Sequence, residues 1–337
     1  MKCQALLLLT SMVMSVQAEG KKEGGGDQCQ YEQKRKCAGD DLLTAASRHD
    51  MKKVKELMED KEKFYILTYT GFNTDTRAGY TALMYACENN DTEMVKLLLE
   101  EGSDVNRLSN LDHSPLYLTS MNGNSATTKM LLERGADPNT ITKSGQSPLY
   151  MAAWNGYPDV VKMLLEVGAE PDIFARNTNF SPLYFAAKGG FLDMVESLIK
   201  NNATINVKTS WNVTPLQAAV IWKHLPVVKA LVAAKADPNV ADKDGLITIH
   251  KASHYGYKDI LQELLNAGAA KDTQDKLGRT ALHHAVIERK AVSVNLLLAA
   301  CCDITLKTKR GETALRIAER KGNSAIINAL KNHNACK

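Results

Sequence analysis

Histidine is the residue type in this chain best suited to chemistry. His250 and His254 lie four apart in a stretch patterned as a helix, so both rings would share one face. That spacing suits two ligands of a divalent metal, but no third ligand stands where it could complete the set. His283 and His284 are adjacent, and neighbours on a helix point in different directions. Ser114, Ser147, Ser181, Thr81, Thr214, Thr280 and Thr313 offer hydroxyls. They recur at one position of a repeated pattern with no base paired to them, which marks helix caps rather than nucleophiles. No Walker-type loop or dinucleotide fingerprint occurs. The expectation is a non-enzyme with no catalytic residue, no metal and no cofactor. An enzyme would need a clustered, buried set of ionisable residues inside one groove, and the aligned repeats show none.

Met1-Lys2 precede a mostly apolar run from Ala5 to Val16, and Val16-Gln17-Ala18 places small residues where a signal peptidase reads. The run is about 12 residues, too short for a bilayer span. It predicts a signal peptide over 1–18, no membrane insertion, and a secreted protein, extracellular or periplasmic. Residues 19–39, with Gly24-Gly25-Gly26 and frequent charge, read as a flexible Gly/Lys-rich extension. Six cysteines follow the leader: Cys29, Cys37, Cys87, Cys301, Cys302 and Cys336. Cys87 reads as a buried small hydrophobe. A bridge from Cys336 to Cys301 or Cys302 would lock the C-terminal end, and Cys29 with Cys37 would close a small loop near the start. The sequons at Asn90, Asn179, Asn202 and Asn212 could accept glycan in a eukaryotic host. A net charge of +4, with 24% charged residues, is too weak to argue for nucleic acid.

The elements that carry these residues repeat. Thr81-Ala82-Leu83, Ser114-Pro115-Leu116, Ser147-Pro148-Leu149, Ser181-Pro182-Leu183, Thr214-Pro215-Leu216, Ile247-Thr248-Ile249, Thr280-Ala281-Leu282 and Thr313-Ala314-Leu315 start 33 residues apart, with one interval of 34. The longer interval reads as a one-residue loop insertion near 174–177. A fixed period of this size means a solenoid. Ser or Thr caps a helix, Pro follows at the first helical position, and small pairs such as Ala152-Ala153 and Ala186-Ala187 let helices approach. Gly123, Gly156, Gly189 and Gly256 are expected to end these short helices. A second helix with apolar residues at helical spacing follows, then a polar turn such as Ala136-Asp137-Pro138-Asn139.

This pattern resembles the ankyrin repeat, over about residues 40 to 337. The resemblance implies an all-α solenoid of about nine helix-turn-helix units joined by β-turn fingers. A degenerate N-cap repeat would occupy 40–75, regular repeats 76–308 and a C-cap repeat 309–337. The family's His two residues after Pro survives here as His250 and His283. Met84, Tyr117, Tyr150, Tyr184, Gln217 and Arg316 replace it elsewhere.

The resemblance also implies a binding face along the turn tips and the outer side of the first helices. Mapped copy by copy, that face carries Tyr80, Met121, Trp154, Asn155, Phe180, Trp211, Ile221, Trp222, His254 and Tyr255, with His113, Gln146 and Val213 beside them. All three Trp fall in this set. Large aromatics at solvent-facing positions suggest an interaction patch, centred on Trp154, Phe180, Trp211 and Trp222. Tyr117, Tyr150 and Tyr184 read as structural. The expected function is a monomeric, secreted module that binds another protein. The alternatives are a secreted effector acting on a host protein, or an intracellular adaptor if the signal peptide is misread.

Overall fold

The computed structural model describes residues 25–59, 67, 79–176 and 178–333. The expected signal peptide and Cys336 lie outside them. The chain divides into two compact units, Met1–Lys143 and Ser144–Lys337.

In the first unit the helices are Gly25–Ser47, Met51–Met58, Ala82–Glu88, Thr92–Glu100, Pro115–Asn122 and Ser125–Glu133. Residues 25–39, expected as a flexible extension, are instead part of the first helix. The run Gln28 to Lys36 is rich in Gln, Glu, Lys and Arg, all good helix formers. It leads into Leu42, Leu43, Ala45 and Ala46, which are buried. Packing of that end against Met51–Met58 and Ala82–Glu88 anchors a helix that composition alone reads as linker.

The second unit is built from six helix pairs, from Pro148–Asn155 with Pro158–Glu166 to Ala314–Lys321 with Ser324–Lys331. First helices stack on first helices and second helices on second helices. The described residues contain no strand, only an isolated antiparallel bridge between Lys307 and Thr313. The fold is an all-α repeat solenoid.

The tripeptide explains each layer. The Ser147 hydroxyl accepts from the Tyr150 N–H at 3.1 Å, the Ser181 hydroxyl from Tyr184 at 3.0 Å and the Thr214 hydroxyl from Gln217 at 3.2 Å. The next residue but one is core: Leu149, Leu183, Leu216, Ile249 and Leu282 are all buried, each stabilising by roughly 1.5–3 kcal/mol. Gly156 (φ 79) and Gly256 (φ 78) end their helices in the left-handed region. In the Pro182–Gly189 helix that role falls to Gly190 (φ 74), one residue later than expected.

Five of the turns between repeats share one device. A Ser, Thr or Asp side chain accepts from the backbone N–H groups two and four residues on. Ser109 does so for Leu111 and His113, and Thr209 for Trp211 and Val213. Asp242, Asp275 and Thr308 repeat it. In the second unit, one backbone bond links each tip to the next. Lys243 donates to Trp211, Lys276 to Asp244 and Lys309 to Leu277, the last at 2.9 Å.

Candidate protein-binding face

The second unit assembles aromatic side chains from three repeats into a continuous run. The rings of Trp154 and Phe185 stack in parallel, centroids 5.5 Å apart and planes 2° apart. Phe180 lies 5.3 Å from Phe185 and 5.7 Å from Trp211. Tyr150 meets Phe185 edge-on at 5.3 Å, and Tyr184 lies 4.7 Å from Phe180. Phe185 and Tyr150 are buried and form the base, while Trp154 is 51% and Trp211 52% exposed. Each indole thus keeps a face for solvent while a neighbouring ring fixes its orientation, the buried Phe185 for Trp154 and the half-buried Phe180 for Trp211.

In the next two repeats, charge replaces aromatic character. Asp242 and Asp275 are turn anchors whose Oδ1 holds backbone donors. A carboxylate, unlike a hydroxyl, has a second oxygen. The Asp242 Oδ2 accepts from Lys251 Nζ at 2.5 Å. The Asp275 Oδ2 accepts from Arg279 Nε at 2.8 Å and His284 Nε2 at 3.0 Å. Burial alone would raise the Asp275 pKa. The donors from Arg279, His284 and Leu277 outweigh it and hold the carboxyl below its ordinary value. Burial brings His284 down to about 4 against the pull of Asp275, so the ring is neutral near pH 7. His250 stands 5.4 Å from His284 and is also pushed down, chiefly by burial.

This clustered, buried set of ionisable groups is what the aligned repeats were expected to lack. The expectation failed because the equivalent turn anchors Ser109, Thr209 and Thr308 carry no carboxylate. The signal was present: Asp242 and Asp275 lie 33 residues apart at the Thr209 and Thr308 position. His250 is nevertheless structural. Its Nδ1 accepts from the Ile247 N–H at 3.1 Å and its Nε2 donates to the Thr273 carbonyl at 2.9 Å. Both ring nitrogens are used, which leaves no lone pair for a metal paired with His254. His283 does the same with Thr280 and the Glu312 carbonyl. Gln217 imitates the imidazole, accepting from the Thr214 N–H and donating to the Val240 and Leu246 carbonyls.

The remaining expected positions divide. Tyr80 is buried rather than solvent-facing: it packs 5.3 Å from Tyr85, and its hydroxyl lies 3.2 Å from His113 Nδ1. Met121, Ile221 and His254 are half-buried, and Asn155 is exposed with its amide turned back to the Met151 carbonyl. Tyr255 is 42% exposed and stacks on Tyr257 at 5.2 Å. Trp222 is 55% exposed but stands outside the ring run, with Lys188 Nζ 5.7 Å from its centroid. Sequence reasoning missed Phe185, and it missed the tip leucines Leu111 and Leu277, which are 57% and 56% exposed. Both leucines sit two residues after a turn anchor, as Trp211 does. Tyr117 and Tyr150 are buried as expected, whereas Tyr184 is half-buried and joins the aromatic run.

Of the cysteines, Cys87 and Cys302 are buried free thiols. Burial pushes both pKa values up, Cys302 to about 12. Cys301 is exposed at φ 56.

A solenoid with capped first helices, laced turn tips and an aromatic face defines a repeat scaffold. The family described as Ankyrin repeats (3 copies) matches residues 25–109, 107–177, 172–242 and 249–337, and the chain belongs to it. Repeats of this family are in general protein–protein interaction modules, and the fold is typically a non-catalytic scaffold. No curated protein matches the chain. Among the described residues no helix is long and apolar enough to cross a membrane.

Proposed function

We propose that this chain is a secreted, monomeric, non-catalytic binding module that seats another protein on the aromatic run of its second unit. The observation that carries this reading is the pair Trp154 and Trp211. Both are half exposed, Trp154 stacked on the buried Phe185 and Trp211 set against the half-buried Phe180. Pre-ordered aromatics lose little conformational freedom on binding and are frequent hot spots. Covering roughly 100 Å² of each indole at about 25 cal/mol per Å² is worth about 5 kcal/mol before binding costs. The ionisable cluster lends no support to catalysis: its carboxylates are occupied by backbone, Lys251, Arg279 and His284, and among the described residues no Ser, Thr or Cys lines the hollow beside them.

Secretion rests on the leader pattern over residues 1–18, and a bridge from Cys301 to Cys336 belongs to the same reading. Cys302 is buried and free, which leaves Cys301 as the member of the pair at the surface. The test starts with protein from its native source. Intact mass and N-terminal sequence should show a start at Glu19 and masked cysteines. Partners captured there by cross-linking should bind the recombinant chain, and Trp154→Ala with Trp211→Ala should weaken that binding about 30-fold or more. Unchanged affinity in a variant with a normal circular dichroism spectrum would refute the assignment of the face.

A further inference from the structure

The charged end of the same face carries a second recognition element, which rests on the binding-module reading and specifies its partner's chemistry. Two hollows of about 260 Å³ and 320 Å³ open on the second unit, and both are walled by Arg279 and Ile287. They are therefore neighbours along one groove. The first is bordered by Lys251, His254 and Glu288, the second by Leu277, Lys309 and Arg310. Most of the charge is internally matched. Lys251 is held by Asp242, Arg279 by Asp275 and Arg320 by Glu312, and His254 faces Glu288 at 3.7 Å. Lys309 and Arg310 are exposed, and among the described residues no carboxylate stands within 4.0 Å of either. The same holds for Lys243 and Lys276.

These lysines are not scattered. Lys243, Lys276 and Lys309 each follow a turn anchor directly, so successive tips present one cation per repeat. Their backbones are tied in sequence by the tip-to-tip bonds, which fixes the spacing of the row. Packed helices lie about 8–10 Å apart, and an extended peptide in the polyproline II conformation rises about 3.1 Å per residue with about three residues per turn. Such a segment crossing the repeats therefore points every third side chain at a new lysine. Between the cations, Leu277 stands 56% exposed, and Ile287 and Ile317 line the hollows.

We infer that this groove binds an extended acidic segment of the partner protein, with a carboxylate at every third position facing Lys243, Lys276 and Lys309 and an apolar side chain seated on Leu277 and Ile287. A nucleic-acid strand fits less well. Glu288 and Glu312 border the hollows and Asp244 stands on the tip between them and Trp211, all repelling a continuous phosphate chain, and the apolar floor offers a phosphate nothing.

The test is selection of a random phage-displayed peptide library on the full chain, with counter-selection on Lys276→Glu/Lys309→Glu. Both substitutions sit on exposed tips, and circular dichroism should show an unchanged fold. The expected result is enrichment of peptides with acidic residues three apart flanking an apolar residue. Their affinity should fall tenfold or more on the charge-reversed variant and decline with added salt. Absence of enrichment, enriched peptides without that spacing, or equal binding to both proteins would overturn the inference. So would a fluorescein-labelled oligothymidylate that binds as tightly as the selected peptides. The native partner separates the two readings: loss with the Trp154/Trp211 variant but not with the lysine variant keeps the binding module and removes the acidic segment.

Discussion

The neutral, buried His284 makes the second unit sensitive to mild acid. Its ring is 7% exposed, its Nε2 donates to Asp275 and its neighbours include Arg279 and His250. The unfolded chain takes up this proton near the ordinary 6.5, the folded chain only near 4. Between those values the unfolded state binds more protons, so the stabilisation is complete above pH 6.5 and is lost as pH falls toward 4. At about 1.4 kcal/mol per pH unit of separation the full loss is about 3 kcal/mol, and about 2 kcal/mol of it is gone by pH 5. His250 and His283 are pushed in the same direction by burial and deepen the effect. Asp275 acts below this window, because its pKa is held under the ordinary 3.8. Urea unfolding followed by circular dichroism at pH 7.5, 6 and 5 should show the decline. In His284→Gln, which keeps a donor for Asp275, the decline should shrink by about 2 kcal/mol. Repeat arrays can unfold in steps, so the His284 ring protons should also be titrated by NMR. An identical pH dependence in both proteins, or a ring that titrates near 6.5 in the folded chain, would refute the reasoning.

Two further outcomes are expected. Gly278 has φ 73, and a Cβ there would meet the Lys309 backbone nitrogen at 2.8 Å and Thr308 carbon at 3.1 Å. Gly268 has φ 80 but nothing within 4 Å. Gly268→Ala should cost about 1 kcal/mol of backbone strain, and Gly278→Ala about 1–2 kcal/mol more, because the tip-to-tip bond must move. Equal urea midpoints for the two variants would disprove the close-approach argument. Cys87 and Cys302 should resist iodoacetamide in the folded chain at pH 8 and react in urea, since burial keeps both thiols protonated. Intact mass after alkylation checks this, and rapid labelling of either without denaturant would contradict their placement.

The layers of this fold were legible because cap, Pro and Leu are local signals that recur at one register. Ser147, Pro148 and Leu149 each do in the structure what their residue types dictate nearby in the chain. The face was only partly legible. Trp154 and Trp211 could be assigned to it from their register, but Phe185 could not. It sits inside a first helix, and only the approach of the neighbouring repeat places it beneath the exposed Trp154. Tyr80 failed for the converse reason, because its exposed register position is covered by His113 one repeat on. The Asp275 cluster depends on where a second carboxylate oxygen points, which no single-repeat pattern encodes. The sequons show the opposite confusion. Asn179 and Asn212 have φ 52 and 59, a conformation Asn tolerates well, and the Ser or Thr two residues on is the helix cap. Turn and cap geometry alone accounts for both patterns.

The polar turns after the second helices also fix how such a chain can change length. The Oδ1 atoms of Asn206, Asn239 and Asp272 each accept a backbone N–H from 31 residues ahead, at 2.7 to 3.0 Å. In the first unit Asn106 does the same. Each bond acts as a gauge, cut to one repeat, that measures the chain between two clasps. Asp172 spans 32 residues to Thr204, so the additional residue in that repeat lies within the measured stretch, and the bond still closes. Gene duplication can therefore add whole repeats without disturbing any gauge. Single-residue insertions are absorbed in the turn loop, where Ala175 takes up the slack by accepting from both Thr178 and Asn179. A deletion that brought a clasp and its acceptor out of step would leave a backbone donor unmatched at the seam. Length variation among descendants of this chain should be concentrated in that one loop.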